Sequence, residues 1–272
     1  MSRLAWLGAA LGLGLCLAGG APPAHADESA PEVERPATAA PAAAQAQTPA
    51  EVAPQIVEYD PWEGFNRKIF AFNDGLDTWV LEPTARGWAY ITPQPMRTGF
   101  SNFFNNLRFP VNFVNNVFQL KLFDASQDVA RFVVNTAIGG AGFLDPASDL
   151  GLRQSYEDFG QTMAHWGTPA GPYFVLPILG PSTVRDTAGL PVDAAATIYP
   201  FFVSAAVTIG PRILDVINTR AAFLSEVAEA KEASFDYYVF VRNAYLQRRQ
   251  ALIEDRAEKD KTYDDSLYEI VD

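Results

Sequence analysis

The chain has almost none of the residues that metal or nucleophile chemistry needs. Of 272 residues one is cysteine, two are histidine and three are methionine. Cys16 has no second thiol to pair with, so an intrachain disulfide is excluded and stability rests on packing. Cys16 and His25 both fall within the first 26 residues, leaving His165 as the one imidazole of the body. A zinc site needs several His or Cys ligands, and a Ser-His-Asp enzyme needs an elbow such as G-x-S-x-G; neither is present. His165 reads as a helix-end or interface histidine. No phosphate-cradling loop occurs: Gly139-Gly140-Ala141-Gly142 follows a helical pattern rather than a strand. Positive charge is also scarce, with 20 Lys and Arg against 32 Asp and Glu and a net charge of −12. A basic face for nucleic acid is therefore not expected. Beyond the N-terminus no apolar run approaches the ~18–20 residues that a membrane span requires.

The N-terminal 26 residues carry one early positive charge, Arg3, an apolar stretch and a small-x-small site at Ala24-His25-Ala26. This is the pattern of a cleaved export signal, with the mature chain beginning at Asp27. Cys16 is preceded by Leu15, where a lipid-attachment signal wants a small residue, so acylation at Cys16 is not expected. Residues 27–58 are rich in Ala, Pro, Glu and Gln, lack aromatics and read as a disordered acidic linker. A second acidic tail spans 254–272. Six acids against Arg35 in the linker, and eight against three bases in the tail, leave a charge of only −3 on 59–253. The folded body is close to neutral.

What the body does have is aromatic helix patterning. Residues 59–77 place Trp62, Phe65, Ile69, Phe72 and Leu76 at steps of three and four, the stripe of an amphipathic helix. Asp60 is the expected N-cap and Pro61 the first helical residue. Further helices are expected over 93–107, stopped by Pro110, over 111–120, over 124–138 with Gly139-Gly140 at its end, and over 215–227. A long one is capped by Ser234 or Asp236. Ser155 is expected to cap a helix with Glu157 and Asp158 in its first turn. Strand pattern is scarce; the prolines of 172–179 confine it to an edge or hairpin. The fold is mainly α, one domain over 59–253. Its aromatic faces need either a protein core or lipid, and periodicity alone does not choose between them.

The motifs, in order, make the choice. D-P-W-E-G-F-N-R at 60–67, F-N-x-x-L-D at 72–77, P-x-P-x-R-x-G-x-S-N-F at 93–103 and N-L-x-x-P at 106–110 are followed by R-F-x-x-N-T-x-x-G-x-x-G-F-x-D at 131–145. W-G-x-x-x-G-P-Y-x-V-L-P at 166–177, G-P-S-x-x-R-D at 180–186 and V-R-x-A-Y-x-Q-R at 241–248 complete the set. In this order they resemble the MlaA (VacJ) family of outer-membrane phospholipid transport proteins of Gram-negative bacteria. The resemblance implies a ring-like bundle of amphipathic helices in the periplasmic half of the outer membrane, around an amphipathic channel. It implies phospholipid as cargo, a porin trimer as neighbour and a soluble periplasmic lipid carrier (MlaC-like) as recipient, with no cofactor and no enzymatic step. Phe72, Asn73, Phe103, Asn112, Asn115 and Asn116 are the candidates for channel- or lipid-facing positions. Gly167, Gly171 and Pro172 match the family's hairpin beside the channel and are candidate hinges, or simply turn glycines. Arg131, Arg185 and Asp186 are candidates for loop-fixing ion pairs or headgroup contacts. Typical members are lipoproteins; the absent acylation signal leaves a soluble periplasmic lipid-binding or scaffold protein as the alternative.

Overall fold

The computed structural model describes residues 60–197 and 205–254. The expected export signal, Cys16, the linker and the acidic tail beyond Glu254 lie outside the described residues. The elements run α1 (Glu63–Leu76), a π-helical turn (Asp77–Leu81), α2 (Glu82–Ile91), α3 (Gln94–Leu107), α4 (Phe109–Phe118), α5 (Leu122–Ala137), α6 (Pro146–Asp149) and α7 (Phe159–His165). They continue with β1 (Tyr173–Leu176), β2 (Gly180–Thr183), α8 (Val184–Ala196), α9 (Ala205–Ala222), α10 (Leu224–Ala233) and α11 (Tyr237–Ile253). The described chain is mainly helical, with one antiparallel hairpin pairing Tyr173 with Thr183 and Leu176 with Gly180.

The helices form where their periodicity puts them, but several face the other way. On α1 the buried residues are Asn66 and Asn73, while Phe65 and Phe72 are exposed. On α5 the buried set is Ala125, Asp128, Arg131 and Asn135, and Val129 and Val133 are exposed. On α4, Asn112, Asn115 and Asn116 are buried beside Val111. Polar side chains fill much of the interior, and the apolar core is small: Tyr173, Val175 and Tyr238 against Ile69, Phe70, Val239, Tyr245 and Leu246.

This polar interior redirects the expected caps. Asp60 does not cap α1; Trp62 holds that position without a side-chain bond, and Pro61 stays outside the helix. The Asp60 carboxylate instead accepts from Asn66 at 2.8 Å, from Arg242 at 3.2 Å and from the Tyr238 hydroxyl. A guanidinium binds it better than helix amides do. Ser155 likewise turns away from its helix and donates to Asp128 at 2.5 Å; Asp158 caps α7 by accepting from Gln161 N–H. Pro110 does not end the helical path but sits in the first turn of α4, where its missing N–H is tolerated. The single helix expected over 215–227 is two, broken at Phe223. Asp236 does cap the last helix, accepting from Val239 N–H.

Two asparagines fix the hairpin to α1. Asn66 donates to the Tyr173 carbonyl at 3.2 Å and accepts from Val175 N–H at 3.0 Å. Asn73, two helical turns on, donates to the Leu176 carbonyl at 2.9 Å and accepts from Ile178 N–H at 2.8 Å. Each side-chain amide stands in for the peptide of a missing third strand, satisfying the open edge of β1. Asn66→Leu keeps the branched heavy-atom shape and removes both hairpin bonds, along with the bond to Asp60. It is expected to destabilise the protein by about 3 kcal/mol and to speed hydrogen exchange at the Val175 amide. Unchanged exchange there would contradict the clamp.

Candidate functional site: a polar interior beneath an aromatic surface

Four helices and the loop before α7 meet around one carboxylate-and-amide network. Asn112 donates to the Ser155 carbonyl at 2.9 Å. Asn115 donates to Asp193 at 3.0 Å and accepts from the Thr162 hydroxyl at 2.8 Å. Asn116 donates to Asp128 at 2.7 Å, and Gln119 donates to Glu157 at 2.7 Å. The asparagines singled out in the sequence are thus brought together, with their amides engaged between α4, α5, α7 and α8. Of the other lipid-facing candidates, Asn73 holds the hairpin, Phe72 is exposed, and Phe103 is half-buried edge-on to Phe104.

Beside this network a shallow open cleft is walled by Asn102, Asn105, Asn106 and Phe109 on one side and by Asp128, Arg131, Phe132 and Asn135 on the other. Phe109 and Phe132 stack at 4.5 Å, giving one apolar patch in a polar wall. Arg131 forms a two-pronged pair with Asp145 at 2.8 and 2.9 Å, and Asn135 donates to the same carboxylate at 2.8 Å. This fixes the glycine-rich loop after α5. There Gly142 is required twice over: its φ is +93°, and a Cβ would lie 2.6 Å from Asn106.

The hairpin approach is held at both ends. Gly167 and Gly171 have φ of +87° and +70°, which side-chain-bearing residues adopt with strain. Pro172 accepts from Val184 N–H at 3.3 Å and Ala170 from Arg185 N–H at 3.1 Å. Arg185 pairs with its neighbour Asp186 at 3.0 Å. Sequence reasoning missed Arg249, which bridges Asp158 and Asp186, the latter at 2.9 Å, with Tyr245 donating to Asp186 at 2.6 Å. Its only sequence signal is its place next to the last motif block. His165 is exposed at the end of α7.

The outer surface has the opposite character. Trp79 is 83% exposed and Tyr90 92%, accompanied by Ile91, Leu120, Leu122, Phe123, Ile138, Leu144 and Leu150. Large exposed apolar surface of this extent marks contact with a membrane or partner. No helix among the described residues is long and apolar enough to cross a membrane. The described helices thus turn apolar faces outward and polar faces inward, the character of amphipathic helices that associate with a membrane interface.

Comparison with known proteins gives the family. The family described as MlaA lipoprotein matches residues 58–252, so the chain belongs to the MlaA family. It is 37% identical over 195 residues to the Escherichia coli K12 intermembrane phospholipid transport system lipoprotein MlaA, covering 70% of this chain and 76% of that protein. It is 36% identical over 219 residues to the Haemophilus influenzae protein of the same name, covering 78% and 87%. A solved structure, from work on the structural basis for maintenance of bacterial outer membrane lipid asymmetry, is similar with a TM-score of 0.63 and 36% identity, over 71% of this chain and 98% of that one.

The site's carboxylates fall into two groups with opposite pH behaviour. Burial pushes Glu157 up to about 7, against the opposing pull of Lys121 at 2.9 Å. It pushes Asp128 and Asp193 up to about 6. These groups hold protons in the folded state that the unfolded chain releases, so their stabilisation grows as pH falls from about 8 to 5. Asp158, Asp186 and Asp145 are half-buried, and cations and hydrogen bonds override the cost of desolvation and depress them. Their stabilisation is present above the usual carboxylate range and lost below about pH 4. The thermal midpoint is therefore expected to peak near pH 5, falling toward both 8 and 3, and Glu157→Gln should flatten the limb between about 5 and 8. A midpoint that rises steadily from pH 5 to 8 would contradict this assignment.

Proposed function

We infer that this chain is an outer-membrane-associated component of intermembrane phospholipid transport, removing phospholipid mislocalised to the outer leaflet and so maintaining lipid asymmetry. The observation that carries the reading is the polarity of the fold: aromatic side chains outward, amides and ion pairs inward, in a chain of the MlaA family. Apolar surface at about 25 cal/mol per Å² gives roughly 5–10 kcal/mol for a few hundred Å² placed in lipid. That is sufficient to retain the body in the periplasmic leaflet without an acyl chain on Cys16. Export by the 1–26 leader, cleavage after Ala26, a porin trimer as neighbour and a soluble periplasmic carrier as recipient are part of the proposal. So is the absence of an enzymatic step: the chain conducts lipid and breaks no bond in it. Phe72 and Phe103 are assigned to lipid contact, and Asn112, Asn115 and Asn116 to the polar wall that keeps acyl chains out of the interior.

The hairpin is the proposed moving part, with Gly167, Gly171 and Pro172 as its hinge. Gly167 has open space around its missing Cβ but a positive φ, so Gly167→Val strains the turn without a clash. The expected outcome is altered outer-leaflet phospholipid in cells carrying Gly167→Val; unaltered levels would remove the hinge. The function itself is tested by deletion and fractionation. Deletion should raise outer-leaflet phospholipid, and the protein should stay with outer-membrane fractions through a high-salt wash that strips electrostatic binding. Release by salt, with normal surface lipid in the deletion strain, would favour a soluble lipid-binding or scaffold protein instead.

A further inference from the structure

Ile178, at the tip of the hairpin, holds a backbone conformation that its side chain resists. Among the described residues, those other than glycine with positive φ are Leu120 at +61°, Ala141 at +60° and Ile178 at +68°. Leu120 follows the end of α4, where a left-handed residue is usual, and Ala141 carries only a methyl group. Ile178 is β-branched, the side-chain type for which this region is most unfavourable. Its turn is tight as well. The Leu179 N–H donates to the Pro177 carbonyl, two residues back, at 2.8 Å. That bond makes Ile178 the centre of a γ-turn of the rare, strained hand. Asn73 fixes it there by accepting from the Ile178 N–H at 2.8 Å.

The strain is not offset by packing of the side chain, since Ile178 is 48% exposed. Glycine or asparagine would form the same turn at lower cost, so the backbone itself does not call for isoleucine. Strain that the surroundings hold in place clusters at ligand contacts and switches. Here the surroundings are apolar. Residues 166–184 carry no charged side chain. On β1, Tyr173 and Val175 are buried, while Phe174 and Leu176 are half-buried on the opposite face. Phe174 packs edge-on to Trp62 at 6.1 Å, next to the exposed Phe65 and Phe72 of α1. The side chain of Asn73 is already engaged by the hairpin backbone. An aliphatic tip in this setting suits hydrocarbon and offers nothing to a charged headgroup.

We propose that Ile178 is the hairpin's contact with phospholipid acyl chains, held outward by the strained turn. The proposal rests on the transport reading above and deepens it, because it names the residue and the part of the lipid that meet. Lipid bound for transport and lipid of the surrounding bilayer present the same hydrocarbon.

The test irradiates full-length protein with phosphatidylglycerol that carries a diazirine at the end of an acyl chain. The lipid is supplied in equimolar amount in mild detergent and, separately, as vesicles. Adducts mapped by mass spectrometry should include Ile178 in the wild type. Ile178→Gly and Ile178→Asn both accept the backbone angle, so the fold should persist. Labelling of residues 177–179 should then fall about tenfold, the equivalent of an apolar side chain leaving hydrocarbon. Ile178→Leu should retain it. Labelling in detergent identifies bound lipid, and labelling in vesicles alone identifies the bilayer; either supports the contact. Adducts elsewhere on the protein with none at the hairpin would overturn it, even if a variant fails to fold. So would undiminished labelling of 177–179 in Ile178→Asn, or equal labelling of the wild type by a diazirine on the headgroup. No adduct anywhere on the protein would sink the transport reading, an outcome distinct from adducts that miss the hairpin.

Discussion

Hydrogen bonding among buried polar side chains is the constraint on which the rest of the structure depends. An outer face placed among acyl chains, as proposed here, would find no water there, and the amides and charges would then have to be satisfied internally. Arg220, with 3% of its side chain exposed, is gripped by Asp77 at 2.7 Å, tying α9 to the π-helical turn. Asn218 accepts from the Trp88 indole at 2.9 Å and donates to the Arg97 carbonyl and the Ser101 hydroxyl at 3.0 Å, joining α9 to α2 and α3. Such pairs contribute less to net stability than their geometry implies, because desolvation offsets attraction. What they fix is which faces meet. Apolar packing against lipid-like surroundings would leave that choice open.

The C-terminal helix gathers these bonds into one frame. From α11, Tyr238 and Arg242 reach Asp60 at the start of the body, Tyr245 and Arg249 reach Asp186 behind the hairpin, and Arg249 also holds Asp158. The close crossing of α7 and α8 beneath them depends on glycine: a Cβ on Gly189 would stand 2.8 Å from the Gly160 nitrogen. The hairpin is therefore anchored on β1 by Asn66 and Asn73 and on β2 by the Asp186 ion pairs. Its approach segment carries the positive-φ glycines. Positive φ recurs in the hairpin turn itself, at Ile178 and Gly180, so the proposed hinge motion could be absorbed at either place.

Sequence periodicity located most helices, the hairpin and the Asp236 cap, because spacing reports which residues share a face. It says nothing of whether that face meets protein or lipid. Trp62, Phe65 and Phe72 therefore announce an amphipathic α1 correctly, while the residues that α1 buries are Asn66 and Asn73. The expected caps at Asp60 and Ser155 failed for a related reason. A capping side chain competes with long-range partners, and Arg242, Tyr238 and Asp128 were invisible at separations of tens of residues. The motif blocks carried more than their spacing, since Asn66, Asn73, Arg131 and Asp186 all lie in them and all prove to be interior bonding residues. Arg108 falls on an unspecified position of N-L-x-x-P and carried no such mark, although it too is buried.

The central claim is that the aromatic exterior is covered by acyl chains. Tryptophan quenching in vesicles tests it most directly, with the other tryptophans replaced by phenylalanine so that Trp79 reports alone. Lipids brominated on their acyl chains should quench Trp79 strongly, and aqueous acrylamide only weakly. Efficient quenching of Trp79 by acrylamide, with no effect of brominated lipid, would contradict the account.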